Sequence, residues 1–256
     1  MKIAIVKLSA LGDIIHAMVI LQFIKKYNRA IEIDWIVEER YKELLKSNPD
    51  INKVLVINIK KAKQKKSFFL YLKELIRVCK FGPYDLVIDM QGLIKSSIIA
   101  RLIPSKLTLG FDKSSVREPL ASIFYNKKFK FAYDKNVIER NFELIKFALD
   151  LPFKFEEVRD KLPFLYSNNI HSTQCLSNFK KNIVLVPGAS FVAKRYPVKS
   201  FAKLTNLLDA NYFIIWGSDE EKLLAEKIKN LSPNINICEK LSIEGLIDLV
   251  SKSNLV

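Results

Sequence analysis

Apolar and polar positions along the chain follow two alternating periods. Short, nearly continuous β-branched runs at 3–6 (IAIV), 31–37 (IEIDWIV), 53–58 (KVLVIN) and 85–90 (DLVIDM) predict strands buried on both faces. Between them apolar residues recur at helical spacing. Ile14, Ala17, Met18, Leu21 and Ile24 share one face of a first helix, 68–80 (FFLYLKELIRVCK) predicts another, and 136–150 (NVIERNFELIKFALD) closes this half. Strand and helix in alternation predict a parallel sheet covered by helices. The pattern breaks over 151–174, where prolines and polar punctuation place a linker at about 151–177 between an N-terminal domain, 1–160, and a C-terminal domain, 178–256. Alternation then resumes with 182–187 (NIVLVP), a helix from about Val198, 212–217 (YFIIWG), a helix from about Asp219, 235–238 (INIC) and a helix from about Ile243. The last residues, 254–256 (NLV), read as the opening of a further strand, so the second domain is expected to be truncated. The predicted class is α/β, two doubly wound domains facing a cleft, with ligands outside the carboxyl ends of the strands.

Composition narrows the function. With 256 residues, 49% of them apolar, the chain can bury two real cores. No apolar run approaches the ~18–20 residues of a membrane span, and the N-terminus lacks a signal-peptide cleavage site, so a cytoplasmic protein is expected. Cys79, Cys175 and Cys238 are far apart and odd in number, which argues against a disulfide framework. With His16 and His171 the only histidines, no Cys/His cluster has zinc spacing and no metal is expected. The net charge of +15 implies an acidic partner, whether nucleic acid, an anionic membrane surface or a phosphorylated substrate, unless it is simply spread over solvated faces.

Candidate chemistry sits where strands hand over to helices. Asp13 follows Gly12 at the start of the first helix. It is either an N-cap or a carboxylate held at a strand edge as a general base. His16, one turn on, shares the helix start; a core histidine is the default for it. No dinucleotide, P-loop or nucleophile-elbow motif occurs. The run 60–66 (KKAKQKK) reads as a basic loop, either solvated or gripping phosphates, carboxylates or an anionic leaflet. In 186–197 (VPGASFVAKRYP), Ser190 and Lys194 offer a hydroxyl and an ammonium that suit a diphosphate, or an ordinary polar turn. In 216–221 (WGSDEE), Gly217 permits close approach and Glu221 suits ribose hydroxyls, or the acids merely complement a helix dipole.

Taken in order, VKLSALGDIIHAM, DMQGLIKSS (89–97), REPLASIFYNKK (117–128), VIER (137–140), PGASFVAKRYP and WGSDEE resemble the bacterial lipopolysaccharide core heptosyltransferases. The similarity runs through both halves to the last residue, and REPLASIFYN favours the type I branch. The resemblance implies a GT-B glycosyltransferase, two Rossmann-like domains facing a cleft. It implies ADP-L-glycero-β-D-manno-heptose as donor, Kdo-lipid A as acceptor, and inversion without a cofactor or metal. Asp13 then matches the family's base, Lys194 its diphosphate lysine, Ser190 a phosphate-contacting hydroxyl, and Glu221 with Gly217 the ribose side of the donor site. Gly12, His16, Gln91, Lys95, Arg117 and Arg140 fall on the acceptor side, with Lys60, Lys61 and Lys63 in a basic acceptor loop. A monomer, peripherally associated with the inner leaflet of the inner membrane and without nucleic acid, is implied as well. Val19 and Tyr196 stand where the family often has proline and tryptophan. The family's D-[ST]-G-x-x-H element would fall beyond Val256, leaving the donor half-site incomplete in this stretch. The competing readings are a type II or other acceptor, a basic nucleic-acid-binding protein, for which no signature occurs, and an inactive binding module.

Overall fold

Isoleucine and valine fill most strand positions because helices cover both faces of a parallel sheet. The computed structural model describes residues 1–167, 176–189 and 191–256, with Lys63 as backbone only, and the chain forms two compact units, Met1–Leu165 and Tyr166–Val256.

The first unit holds a six-stranded parallel sheet of β1 (Lys2–Val6), β2 (Glu32–Glu38), β3 (Lys53–Ile57), β4 (Tyr84–Asp89), β5 (Ser105–Phe111) and β6 (Lys127–Phe129), in the order β3-β2-β1-β4-β5-β6. The order reverses beside β1, whose neighbours are β2 and β4, so the carboxyl ends of β1 and β4 flank the switch point where such sheets bind ligands. The crossovers carry α1 (Leu11–Met18), α2 (Leu21–Tyr27), α3 (Lys42–Lys46), α4 (Ile59–Gln64), α5 (Phe68–Val78) and α6 (Ile94–Leu102), and α7 (Val137–Leu149) follows β6. Ala4, Val6, Leu8, Ile36, Val87, Ile99 and Ala100 pack in one buried cluster on the sheet.

Three features differ from the sequence expectation. The single first helix is interrupted between α1 and α2, although Val19 and Ile20 keep right-handed helical backbone and so preserve its direction. The basic run 60–66 is not a loop at its start: α4 is helical, and Ile59 and Ala62 are buried beneath it. Residues 151–165, expected in the linker, pack on the first unit. Phe153 is fully buried edge-on to Phe142 at 4.4 Å, and a 3-10 helix over Phe155–Asp160 follows. The carboxylate of Glu157 in that helix accepts from Lys26 at 2.6 Å and from Tyr27 at 2.8 Å. Of the rest of the expected linker, residues 168–175 lie outside the described residues.

The second unit has β7 (Lys181–Leu185), β8 (Ala210–Ile214) and β9 (Ile235–Ile237), parallel and in that order, with α8 (Val198–Thr205), α9 (Asp219–Leu231) and α10 (Ile243–Ser251). Ile183, Leu185, Phe201, Tyr212, Ile214, Ala225, Ile228 and Ile235 form its core. Leu255, in the expected last strand, bridges in parallel to Ile183.

Candidate active site

At the carboxyl ends of β1 and β4 two loops lock together. The side-chain carbonyl of Gln91 accepts the backbone N–H groups of Leu8 at 2.7 Å and Ser9 at 3.2 Å, and its amide donates to Ser9 Oγ at 3.3 Å. Asp89, fully buried, aims that loop in turn. Its Oδ1 accepts from the N–H of Gln91 at 2.8 Å and of Gly92 at 3.2 Å, and its Oδ2 accepts from the Tyr125 hydroxyl at 2.8 Å. Burial pushes the Asp89 carboxyl up against the pull of these hydrogen bonds, and burial beside Asp89 pushes the Tyr125 hydroxyl up too. The Tyr125 ring fits because β5 has Gly110 there, where a Cβ would lie 2.4 Å from it. Here the tract REPLASIFYN acquires a physical role: Tyr125 holds Asp89, and Glu118 Oε2 accepts the N–H of Ile94 at 2.7 Å, satisfying a donor at the start of α6.

Lys7 follows β1 and is buried, with Nζ donating to the Met90 carbonyl at 2.9 Å. Burial lowers its pKa and the Arg140 guanidinium adds to the shift, while the nearby carboxylates of Asp13 and Asp89 oppose it. Asp13 itself is exposed. It is the third residue of α1, not the N-cap, a place held by Ala10. Its Oδ2 accepts the Ala10 N–H at 3.2 Å, while Oδ1 makes no hydrogen bond among the described residues. One oxygen is tied to the helix start and the other is open.

A cavity of about 370 Å³ opens here, lined by Lys7, Ser9, Asp13, Gln91, Arg117 and Arg140, with Lys135, Tyr133, Phe111 and Val116 among its other walls. Asp13 is its one acid against Lys7, Arg117, Lys135 and Arg140, so the cavity favours an anionic ligand. Arg140 donates to the carbonyls of Tyr133, at 2.7 Å, and Ser115, and its guanidinium lies over the rings of Phe111 at 4.9 Å and Tyr133 at 4.6 Å. Burial lowers its pKa.

The structure therefore gathers Asp13, Gln91, Arg117 and Arg140 of the residues singled out from sequence. Lys95 stands one step out, with Nζ 3.5 Å from Ser9 Oγ. Gly12 and His16 are exposed and do not line the cavity, so His16 is not the core histidine of the default reading. Lys60 and Lys61 are exposed on α4, away from the cavity walls; the Lys63 side chain lies outside the described residues. Sequence reasoning missed Lys7 and Lys135. A lysine directly after a buried strand was the available signal for the first.

In the second unit, a pocket of about 170 Å³ is walled by Val186, Ile215, Trp216, Leu241, Ile243 and Leu246, with Gly188, Gly217, Ser242 and Glu221 supplying backbone and polar groups. Ser218 caps α9 by accepting the Glu221 N–H at 3.3 Å. In return, Glu221 Oε2 accepts from the N–H groups of Gly217 at 2.7 Å and Ser218 at 3.2 Å. The acid serves the helix start, as one of the two sequence alternatives had it, and it also lines the pocket. A Cβ on Gly188 would sit 2.2 Å from Glu221 Oε1, so this glycine makes room for the carboxylate. Lys194 is exposed at the end of a 3-10 turn, with Nζ 5.7 Å from the Phe191 ring centre, and is not among the pocket walls. Ser190 lies outside the described residues. Among the described residues, no three His, Cys, Asp or Glu side chains gather as a metal site.

The family model described as Glycosyltransferase family 9 (heptosyltransferase) matches residues 72–256. Over 274 residues the chain is 37% identical to lipopolysaccharide heptosyltransferase 1 of Campylobacter coli, covering all of this chain and 77% of the relative. The chain belongs to glycosyltransferase family 9. The heptosyltransferase 1 of Pseudomonas aeruginosa is 28% identical over 264 residues, covering 98% of this chain and 71% of the relative. The fold matches that of E. coli heptosyltransferase WaaC, solved with ADP, at a TM-score of 0.83 and 24% identity, covering all of this chain and 80% of that one. The two parallel sheets are those of a GT-B heptosyltransferase, as the resemblance implied.

Proposed function

We propose that this family 9 glycosyltransferase moves L-glycero-D-manno-heptose from ADP-heptose to the Kdo of Kdo-lipid A, in the inner core of lipopolysaccharide, with inversion and without a resident metal or cofactor. The observation that carries the reading is the cationic cavity of the first unit with the open Asp13 oxygen at its wall, in a chain 37% identical to a lipopolysaccharide heptosyltransferase 1.

The acceptor takes the first unit. Arg117, Lys135 and Arg140 attract its carboxylates and phosphates, and Gln91 fixes the loop that presents Ser9. Asp13 accepts the proton of the acceptor hydroxyl as that oxygen attacks the anomeric carbon. The bond from that carbon to the diphosphate oxygen breaks, and ADP leaves with its electron pair. Lys7, buried and fixed on the Met90 carbonyl, lies close enough to Asp13 for the carboxylate to oppose the lowering of the lysine's pKa by burial. The donor takes the second unit. The apolar walls around Trp216 suit the adenine ring and Glu221 the ribose hydroxyls, while the family resemblance assigns Lys194 and Ser190 to the diphosphate. In this reading Gly12, His16, Lys95, Lys60, Lys61 and Lys63 belong to the path of a bulky anionic acceptor. The protein works as a monomer on the cytoplasmic side of the inner membrane; no described helix is long and apolar enough to cross a bilayer.

The test is transfer by the purified protein from ADP-heptose to a panel of acceptors. Product with Kdo-lipid A, and none with an acceptor already carrying the first heptose, supports the reading. The reverse preference assigns a different acceptor and contradicts it.

A further inference from the structure

Helix α5 is turned partly inside out. Its inner face meets the sheet through Val78, yet Phe68 is 76% exposed, Phe69 77%, Leu72 43% and Ile76 53%. Residues 68, 72 and 76 follow one another at a spacing of four, which aligns them on a single stripe, with Phe69 at its edge. Such a stripe on a sheet-covering helix is costly in water and marks an interaction surface. Immediately before it, Lys60, Lys61, Lys65 and Lys66 are exposed; within it and after it, so are Lys73 and Lys80. None of these six lysines forms an ion pair among the described residues. The turn between α4 and α5 is fixed: the Ser67 N–H donates to the Ala62 carbonyl at 3.1 Å, and Ser67 Oγ accepts the Leu70 N–H at 3.3 Å. The lysines and the stripe are therefore one preformed surface.

We infer that α4 and α5 dock the protein on an anionic phospholipid bilayer, with Phe68, Phe69, Leu72 and Ile76 in the acyl boundary and the lysines at the headgroups. Arg77 on the same helix is paired with Glu74 at 2.7 Å; a protein partner or a second copy would also cover an apolar stripe, but neither explains six exposed lysines left without an acidic partner beside it. A helix lying in the interface with lysines beside its apolar face does. The inference rests on the proposed function for why a bilayer should be at hand, since that acceptor is a lipid. It concerns the phospholipid surface, not the acceptor headgroup.

Vesicle co-sedimentation, with neither donor nor acceptor present, separates this claim from the transferase reading. The purified protein should partition onto vesicles of phosphatidylcholine with phosphatidylglycerol, and far less onto phosphatidylcholine alone. F68S/F69S should lower the partition about tenfold or more. K60Q/K61Q/K65Q/K66Q should lower it about fivefold per lysine, and added salt should mimic that loss. Circular dichroism checks the fold of each variant, and the exposed pair L207S/L208S in the second unit serves as the control that should change nothing. Cys79 is exposed one turn beyond Ile76, so an environment-sensitive dye there, in a background lacking the other two cysteines, should shift to the blue on anionic vesicles. Partition unchanged in F68S/F69S, equal binding to neutral vesicles, or no partition at all would overturn the inference. So would a dimer in sedimentation velocity that F68S/F69S dissolves.

Discussion

At the residue scale the site depends on acids that do two things. Asp89 fixes Gln91 and Gly92 with one oxygen and Tyr125 with the other. Tyr125→Phe removes a donor from a buried carboxylate, so it should cost about 1–3 kcal/mol in urea denaturation. It should also loosen the Gln91 clamp and raise KM for the acceptor. A variant as stable as wild type would show that water or another group replaces the hydroxyl. Glu221 is the counterpart in the second unit. A methyl group at Gly188 meets its carboxylate at 2.2 Å, whereas one at Gly217 comes only to 3.3 Å. Gly188→Ala should therefore weaken ADP binding by roughly tenfold or more in calorimetry, the loss of a charge-assisted contact, and Gly217→Ala much less. Equal effects would remove Glu221 from the nucleotide. Asp13 and Glu221 were legible in sequence because strand, turn and acid at a helix start is a local pattern. Lys7, Asp89 and Tyr125 were not legible from pattern alone: their meaning comes from contacts between positions some 36 to 83 residues apart.

At the element scale, short, nearly continuous apolar runs announced β1 to β4 and β7 to β9, while α4, β5, β6 and α6 escaped. In β5, SKLTLGF alternates, and its Gly110 is there for the Tyr125 ring. β6 is three residues long, and α6 carries two buried serines on a helix with a weak apolar face. The segment after α7 misled in another way, since its prolines conceal a packed 3-10 helix tied to α2 by Glu157. Hydrogen bonds from Lys26, the Lys154 backbone and Tyr27 hold the Glu157 carboxyl at about 2, below its ordinary value of 4.5. A depressed acid stabilises the fold above its unfolded value and loses that contribution as pH falls through the folded one. The Tm gap between wild type and Glu157→Gln should thus be present at pH 7, shrink below about pH 4.5 and close near pH 2. It should be small and shrink with salt, because the Lys26 partner is exposed. A gap constant across that range would mean the carboxylate's charge plays no part.

At the scale of the whole molecule, the net charge of +15 resolves into places. Some of it lines the cavity around Asp13, and some forms the lysine rim of α4 and α5. Composition alone left nucleic acid, membrane and phosphorylated substrate open; position in the fold is what favours an anionic acceptor and an anionic surface. Neutralising the rim lysines should raise KM for an acylated acceptor and leave ADP affinity unchanged, which calorimetry and initial rates together would check. A change in ADP affinity would place those lysines with the donor instead. The proposed role of Asp13 as the base of heptose transfer bears most of the chemistry. Its most direct measurement is the turnover of Asp13→Ala with ADP-heptose and Kdo-lipid A, alongside circular dichroism and ADP affinity. The fold and the ADP affinity should be unchanged and the rate lower by ~10²–10⁴. A folded variant that keeps more than about a tenth of the wild-type rate would make Asp13 only the partner of the Ala10 amide at the start of its helix.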